Sequence, residues 1–193
     1  MILSKTRTAL AVLALSLSSS LFAAETYEID RKGMHAAIEF KIKHLGYSWL
    51  TGRFNDFKGQ FVFDEKNPSK SNVQVEIKTA SIDSNHGERD KHLRGDDFLD
   101  VKKFPKATFN STKIIDKGNG KADIHGDFTL HGITKNIVIV ANQIGAGNDP
   151  WGGFRRGFEG STRIKLKDFG IDFNLGPASG SVELSLYVEG IRK

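Results

Sequence analysis

Apolar and polar residues alternate with a period of two along most of the chain. In the segment 57–64, Phe57, Phe61 and Phe63 lie on one side, and polar residues such as Lys58 lie on the other. This alternation is typical of a β-strand that buries one face and exposes the other. The pattern predicts eight strands and a short extra one at 27–29. The eight span residues 36–44, 57–64, 73–78, 107–111, 122–131, 137–141, 158–166 and 182–188.

Turn-forming sequences separate most of the predicted strands. They lie at 67–68, 117–120, 131–132 and 145–150. Connections this short join antiparallel neighbours. No helical segments alternate with the strands, which argues against a doubly wound α/β fold. The sequence therefore predicts an all-β domain of antiparallel strands.

Glycines inside the strand patterns favour a closed barrel over two packed sheets. Eight antiparallel strands with one apolar face can form either a sandwich or a barrel. Gly59, Gly126 and Gly160 lie within otherwise regular strand patterns, and such glycines permit the strong coiling that closure needs. An eight-stranded barrel has an interior that can hold one small ligand. We therefore predict a barrel, with a sandwich as the alternative.

The strand pattern is broken between residues 83 and 104, which are mostly charged or polar. Ser84 or Asn85 can cap the start of a helix, and Pro105 ends any helix before it. We predict one or two short helices here, inserted between the third and fourth of the eight strands. A charged insertion of this length in a strand-only domain is typical of a lid or a functional loop.

The insertion also carries candidate chemistry in His86, Glu88, Arg89, Asp90 and His92. One interpretation is a solvated helix with local ion pairs. A second is a clamp for a polar or anionic head group, because a guanidinium such as that of Arg89 can bind phosphate with two hydrogen bonds. A third is metal binding or acid–base catalysis, although the histidine spacing matches no specific metal motif.

The chain is rich in aromatic residues, with fourteen Phe, two Trp and three Tyr. Most are expected to pack in the core, but large rings beside glycines can also line a tunnel. The segment 44–50 leaves the alternation while staying apolar, which predicts either a mouth or tunnel wall or a strand bulge. The sequence contains no cysteine and no nucleophile motif of the Gly-x-Ser-x-Gly type.

Residues 1–24 have the layout of a secretory signal peptide. Lys5 and Arg7 precede the apolar run 9–17, and Ala24 offers a small residue for cleavage. The run is too short for a permanent membrane span, and an uncleaved anchor is the alternative. Without residues 1–24, 26 basic and 23 acidic side chains leave a formal charge of +3. This mild, dispersed excess argues against a nucleic-acid-binding surface. The pair Arg155-Arg156 is interpreted as a small solvated basic spot.

The longest motifs lie on both sides of the helical insertion and near the C-terminus. They are residues 44–49 (HLGYSW), 81–86 (SIDSNH), 88–94 (ERDKHLR), 97–99 (DFL), 104–109 (FPKATF), 149–153 (DPWGG), 166–170 (LKDFG) and 175–179 (LGPAS). In these motifs the chain resembles the YceI-like family of bacterial polyisoprenoid-binding proteins, and in particular its periplasmic branch. The resemblance covers essentially all of residues 25–193.

The resemblance implies that residues 25–193 form a single lipid-binding domain, a lipocalin-like eight-stranded antiparallel barrel with a long isoprenoid chain inside. It also implies that the polar head of the ligand lies near the segment that carries Asn85, Arg89, Asp90 and His92. We expect the ligand tunnel to be lined by Phe40, Ile42, His44, Trp49, Phe61, Phe98 and Phe109.

On this basis we expect a periplasmic protein that binds or carries a polyprenyl or quinone-type lipid. We expect no enzymatic activity, no metal, no cofactor beyond the bound lipid, no nucleic-acid partner and no transmembrane segment, and the resemblance is compatible with a homodimer. Three alternatives stay open. They are a binder of a fatty acid or fatty amide, an enzyme that acts on a lipid head group through His86, Asp90 and His92, and a stress-response envelope protein that binds a protein partner.

Overall fold

The structure is a computed structural model that describes residues 24–193. The predicted signal peptide, residues 1–24, lies outside the described residues except for Ala24. The described chain forms eleven strands in one sheet and a single α-helix, α1 (Gly87–Leu93). The strands are β1 (Glu25–Ile29), β2 (Ala37–His44), β3 (Ser48–Phe54), β4 (Phe57–Phe63), β5 (Asn72–Lys78), β6 (Ile82–Asp83), β7 (Lys106–Gly118), β8 (Lys121–Leu130), β9 (Ile133–Asn148), β10 (Phe154–Lys165) and β11 (Ser181–Arg192).

The sheet closes into a barrel because β11 pairs with β1 as well as with β10. The order around the ring is β1, β4, β5, β7, β8, β9, β10 and β11, and all neighbours are antiparallel. The other three strands extend this ring: β2 continues β1 along β11, β3 pairs with β2 and leads into β4, and β6 follows β5. The eleven strands thus form eight barrel strands in chain order. The predicted eight-stranded antiparallel barrel is confirmed.

The first three barrel strands are each interrupted once. Residues 30–36 separate β1 from β2, residues 55–56 separate β3 from β4, and residues 79–81 separate β5 from β6. Each interruption lets the chain bend, so that one barrel strand can follow the curved wall over a greater length.

The segment 44–50 proves to be a hairpin and not a bulge, and two of its residues, His44 and Leu50, line the interior of the barrel. His44 pairs with Ser48, and the turn between them places Leu45 and Gly46 at φ values of 51° and 86°. The prediction missed β3 because this tight turn reverses the chain within an apolar stretch. The predicted turn at 145–150 was wrong in its first half, since β9 continues to Asn148 and pairs with β10 beside a bulge at residues 157–158.

The two ends of the barrel carry different connections, because successive strands run in opposite directions. We call one end the α1 end and the other the floor end. The connections at the α1 end are residues 45–47, 84–105, 131–132 and 166–180, and those at the floor end are residues 64–71, 119–120 and 149–153.

Helix α1 begins after His86, whose Nδ1 accepts a hydrogen bond from the Arg89 N–H at 3.2 Å. The predicted caps at Ser84 and Asn85 were wrong. Ser84 Oγ instead donates to the Asp90 carboxylate, and Asn85 has a left-handed φ of 61°. The helix lies between the third and fourth barrel strands, as predicted, and it is the single α-helix among residues 24–193.

The barrel wall buries its inward aromatic side chains against glycines. A Cβ atom on Gly126 would lie 2.4 Å from the Phe109 ring, and one on Gly190 would lie 2.4 Å from the Phe61 ring. Any larger residue at these two positions would displace the ring that packs there. The glycines therefore let bulky rings lie close to the curved wall.

A network of ion pairs links the interruption after β1, residues 30–36, to the connection 149–153 at the floor end. Arg155 donates to Asp30 Oδ2 at 2.7 Å, to Asp149 Oδ2 at 2.8 Å and to Glu189. The Asp30 and Asp149 side chains are almost fully buried. Because charged hydrogen bonds in a buried site are strong, this network holds β1, β10, β11 and the connection 149–153 in one arrangement.

Replacing Asp30 with Asn is expected to destabilise the barrel by up to about 2 kcal/mol near neutral pH. Burial by itself raises the pKa of Asp30, but hydrogen bonds from His35, Arg155 and the Gly33 N–H outweigh it and lower the pKa from 3.8 to about 2. A lowered pKa means that this stabilisation is complete above about pH 4 and is lost as the pH falls through about 2. Urea unfolding at neutral and acidic pH measures both effects.

The matched control is Asp172→Asn, because the Asp172 side chain is 74% exposed and pairs with Lys167 at 3.8 Å. This control should leave the free energy of unfolding within about 0.5 kcal/mol of the unchanged protein. Equal stability of the Asp30→Asn variant and the unchanged protein at neutral pH would show that the network does not stabilise the closed ring.

Candidate functional site

The interior of the barrel holds a cavity of about 410 Å³. This volume lies within the range of small-molecule binding sites. All eight barrel strands contribute inward side chains to its lining, and nearly all of these are apolar. Representative lining residues, one from each barrel strand in chain order, are Phe40, Leu50, Val75, Phe109, Phe128, Ile139, Ile164 and Leu184.

A layer of aromatic rings closes the barrel toward the floor end. The Tyr27 and Phe61 rings stack with their centres 4.8 Å apart, and the edge of Phe61 meets Phe158 at 5.5 Å. Phe158 lines the cavity, whereas Tyr27 and Phe61 lie outside its lining. We call Tyr27, Phe61, Phe63, Phe154 and Arg156 the aromatic floor.

Arg156 places a buried cation in the aromatic floor. Its side chain is 3% exposed, its guanidinium lies 4.2 Å from the centre of the Phe63 ring, and its Nε donates to the Tyr27 hydroxyl at 3.3 Å. The interpretation of Arg155-Arg156 as a solvated spot was therefore wrong. Strand alternation could have predicted that Arg156 is buried, because it occupies an inward position between Phe154 and Phe158.

The cavity reaches the protein surface at the α1 end. His44, His92 and Phe173 line the cavity and are also exposed, whereas the connections at the floor end contribute no lining residue. The His92 ring meets Phe98 and Phe173 edge-on, with ring centres 5.0 and 5.3 Å apart. We call His44, Arg89, His92 and Phe173 the mouth. Polar groups thus cluster where the cavity opens.

Arg89 and Asp90 hold the connection that carries α1 in place. Arg89 Nε donates to Ser84 Oγ at 2.7 Å, and its Nη2 donates to the Ser84 carbonyl oxygen at 2.6 Å. Asp90, which is 7% exposed, accepts hydrogen bonds from the Ser84 N–H at 2.8 Å and from the Ser84 hydroxyl. Arg94 adds two further bonds, to the carbonyl oxygens of Ala80 and Ile82. The sequence analysis did not single out Arg94.

The predicted head-group residues separate into two pairs. Arg89 and His92 lie at the cavity, and His92 Nε2 also contacts Asp97 Oδ2 at 2.9 Å. Asn85 and Asp90 do not line the cavity, because Asn85 faces solvent and Asp90 turns its carboxylate toward Ser84. The contacts of Arg89 and His92 with a head group stay predictions.

Five of the seven predicted tunnel residues line the cavity, and Trp49 and Phe61 do not. Trp49 lies on the outer face, because alternation along β3 turns Leu50 inward. Phe61 belongs to the aromatic floor, where its ring stacks on that of Tyr27, its cross-strand partner. The five that line the cavity are Phe40, Ile42, His44, Phe98 and Phe109.

Within residues 24–193, one group of side chains has the spacing of a metal site: Asp30, His35 and Glu189. These residues lie far from the mouth, and Arg155 Nη1 already donates to both carboxylates. A guanidinium in this position competes with a cation for the same oxygens. The insertion that carries His86 and His92 forms no such cluster among the described residues.

A sequence model of the YceI-like domain matches residues 27–190. The chain belongs to the YceI-like family. Two bacterial relatives are similar to this chain over nearly its whole length. A UPF0312 protein of Pseudomonas paraeruginosa is 62% identical over 186 residues, which cover 93% of this chain and 96% of the relative. A UPF0312 protein of Shewanella is 54% identical over 187 residues, which cover 94% of this chain and 98% of the relative.

Solved structures share the barrel. A Campylobacter jejuni YCEI protein is 33% identical, with a TM-score of 0.71 over 79% of this chain and 91% of that one. BcnA of Burkholderia cenocepacia has a TM-score of 0.73 at 22% identity, over 83% of this chain and 98% of its own. A polyisoprenoid-binding domain of Saccharophagus degradans, implicated in plant cell wall breakdown, has a TM-score of 0.64 at 15% identity, over 89% of this chain and 100% of its own. The last two likenesses show a common fold.

Replacing Arg89 with Ala is expected to loosen the connection 84–94. The variant loses two hydrogen bonds from a charged donor to Ser84, each worth about 1.5 kcal/mol or more. The backbone amides of α1 should therefore exchange with deuterium roughly tenfold faster or more, which hydrogen-exchange mass spectrometry measures. Lys91→Ala, an exposed substitution on the same helix, is the control. Equal exchange rates in the two variants would contradict an anchoring role for Arg89.

Proposed function

We propose that this YceI-like protein binds and carries a long-chain lipid of the polyprenyl or quinone type. The chain of the ligand lies in the barrel cavity and its polar head lies at the mouth. The observation that carries the proposal is the distribution of polarity along the cavity. Its walls are mostly apolar, with Glu159, Thr162 and Tyr187 as the polar exceptions on β10 and β11, while His44, Arg89 and His92 gather at the open end.

The apolar cavity supplies the driving force for such a ligand. Each CH₂ group moved from water into an apolar site is worth about 0.8 kcal/mol, so about ten carbons contribute roughly 8 kcal/mol. Association itself costs at least about 4 kcal/mol. A ligand of several isoprene units therefore gains enough from burial to stay bound without any special contact to its chain.

The mouth can hold a polar head group without giving up the contacts that position α1. A guanidinium has five N–H donors, and the bonds from Arg89 to Ser84 use two of them. The remaining donors suit a phosphate or a carbonyl oxygen. His44 and His92 add ring nitrogens at the same opening.

Binding accounts for these residues better than catalysis does. His86 Nδ1 caps α1, Asp90 is bonded to Ser84, and His92 Nε2 contacts Asp97. The three residues of the enzymatic alternative therefore do not converge on one point, as a nucleophile and its base must. The fold of the Saccharophagus degradans polyisoprenoid-binding domain gives independent support to a lipid-binding role for this architecture.

A periplasmic location fits the same account. We propose that residues 1–24 direct export and that the carrier shields its lipid from water in the periplasm. The chain has no cysteine, so its folding does not depend on disulfide formation. Among residues 24–193, no helix combines the length and the hydrophobicity that a bilayer crossing requires. A homodimer stays a prediction.

The decisive experiment combines extraction of the natively purified protein with a cavity-filling variant. Ala141 lines the cavity and is 7% exposed, so Ala141→Phe places a ring inside. Val140, its neighbour in β9, is 61% exposed, so Val140→Phe places the same ring outside. The unchanged protein and Val140→Phe should release a stoichiometric prenyl-type lipid on organic extraction, detectable by mass spectrometry. Ala141→Phe should release several-fold less.

Uptake of added prenyl lipid in detergent solution gives the second readout for the same proteins. Unchanged binding by Ala141→Phe, with fold verified by circular dichroism, would show that the lipid binds outside the cavity. Repeated extraction of empty protein, together with no uptake of added prenyl lipid, would refute the carrier function. Extraction of a fatty acid or a fatty amide would replace the prenyl ligand with another linear amphiphile.

A further inference from the structure

Two connections at the α1 end expose an apolar surface beside the mouth. The exposed fraction is 88% for Tyr47, 57% for Leu45, 44% for Trp49 and 43% for Phe173. Large apolar side chains that are exposed next to one another on a protein surface usually mark an interaction site. We call these four residues, with Pro177 and Ala178, the rim.

The rim is one surface because its two connections pack together. The Ser179 hydroxyl donates to the Lys43 carbonyl oxygen, which ties the connection 166–180 to the end of β2. A Cβ atom on Gly46 would lie 3.6 Å from Ala178 Cβ, and one on Gly176 would lie 3.9 Å from Leu45 Cδ2. The hairpin and the connection 166–180 therefore hold each other in place, and the exposed side chains lie on this fixed backbone.

The rim is flanked by positive charge on its hairpin side, whereas the connection 166–180 carries Lys167 together with Asp168 and Asp172. Residues 40–54, which include the hairpin, contain Lys41, Lys43 and Arg53 and no acidic residue. The Nζ atoms of Lys41 and Lys43 lie 4.7 and 4.5 Å from the centre of the Trp49 ring. Lys41 also pairs with Glu183 at 3.0 Å. Tryptophan and tyrosine next to lysine are the side chains that favour the boundary between lipid head groups and acyl chains.

The rim is continuous with the cavity, unlike the exposed aromatic side chain at the floor end. Phe173 belongs to both the rim and the mouth, and His44 of the mouth precedes Leu45 in the chain. At the floor end Trp151 is 77% exposed, but its connection contributes nothing to the cavity lining. Trp151 also lies beside Arg155, whose charge is shared among three carboxylates.

We propose that the rim docks the protein on a bilayer that contains anionic phospholipid, so that the ligand passes between membrane and cavity through the mouth. The proposal rests on the carrier function and specifies where the lipid enters. Lys43 and Lys41 contact anionic head groups, and Tyr47, Leu45 and Phe173 insert at the interface. A chain that enters directly from the bilayer avoids the unfavourable exposure of its CH₂ groups to water.

The test is co-sedimentation of the full purified protein with vesicles. Vesicles of equal parts phosphatidylcholine and phosphatidylglycerol should bind the unchanged protein, and vesicles of phosphatidylcholine alone should bind it more weakly. Lys43→Glu should lower binding to the anionic vesicles on the order of tenfold, because each basic charge at such a surface is worth about 1 kcal/mol. Tyr47→Ser should lower binding to both kinds of vesicle.

Trp151→Ser is the matched control, because it removes a similarly exposed aromatic ring, 77% against 88% for Tyr47, from the opposite end of the barrel. It should bind vesicles as the unchanged protein does. Equal vesicle binding by Lys43→Glu, Tyr47→Ser and Trp151→Ser would overturn the proposal. A rim that instead joins two copies of the chain would also overturn it, and sedimentation without vesicles would then show a dimer that Tyr47→Ser dissociates.

The outcome also distinguishes docking from cargo binding. Unchanged protein that takes up prenyl lipid from detergent but never binds anionic vesicles would refute docking and leave the carrier function intact. Protein that binds vesicles through the rim but takes up no prenyl lipid would refute the carrier function instead. The Ala141→Phe variant should bind vesicles normally, since its substitution lies inside the barrel.

Discussion

The pairing of β11 with β1 is the constraint on which the other features depend. It satisfies the backbone hydrogen bonds of the first and last strands and removes the open edges of the sheet. A closed ring of eight strands forces every second side chain into one interior, and in this chain those side chains are apolar. Because the rings of Phe40, Phe109 and Phe128 lie along the wall, they surround a space rather than fill it. Closure therefore creates an apolar cavity that water occupies poorly and a hydrocarbon chain occupies well.

The second determinant is the difference between the two ends of the barrel. At the floor end, Tyr27, Phe61 and Arg156 pack into a layer that separates the cavity from the connections beyond it. At the α1 end, the connection that carries the helix is held by Arg89 and Asp90, and an opening remains beside His92. In the proposed function this opening receives an amphiphilic ligand with its chain inward and its head at the polar mouth. In the proposed docking mode the exposed rim beside the opening meets the membrane.

Alternation along the chain predicted much of this architecture, because inward and outward positions differ in polarity on every barrel strand. It failed where local geometry interrupts the period. Because of the tight turn at Leu45–Gly46, β3 was not predicted, and Trp49 was wrongly predicted to face the cavity. The cap of α1 was misplaced because the hydrogen bonds of Ser84 go to Asp90, a partner that only the folded chain brings close.

Arg156 was predicted to be solvated because it is charged, although its position in the alternation of β10 points inward. The rings of Tyr27 and Phe63 stabilise the buried guanidinium by cation–π contacts. The family resemblance predicts a head-group site at the helical insertion, but spacing alone could not separate Arg89 and His92, which line the cavity, from Asn85 and Asp90, which do not.

The most direct test of this account is a crystal structure of the protein purified from a bacterial envelope without added lipid. The account predicts continuous elongated electron density from the mouth at His92 to Phe158 above the aromatic floor, with a polar group within hydrogen-bond distance of Arg89 or His92. A cavity that holds only ordered water, or density for a ligand bound elsewhere on the barrel, would contradict it.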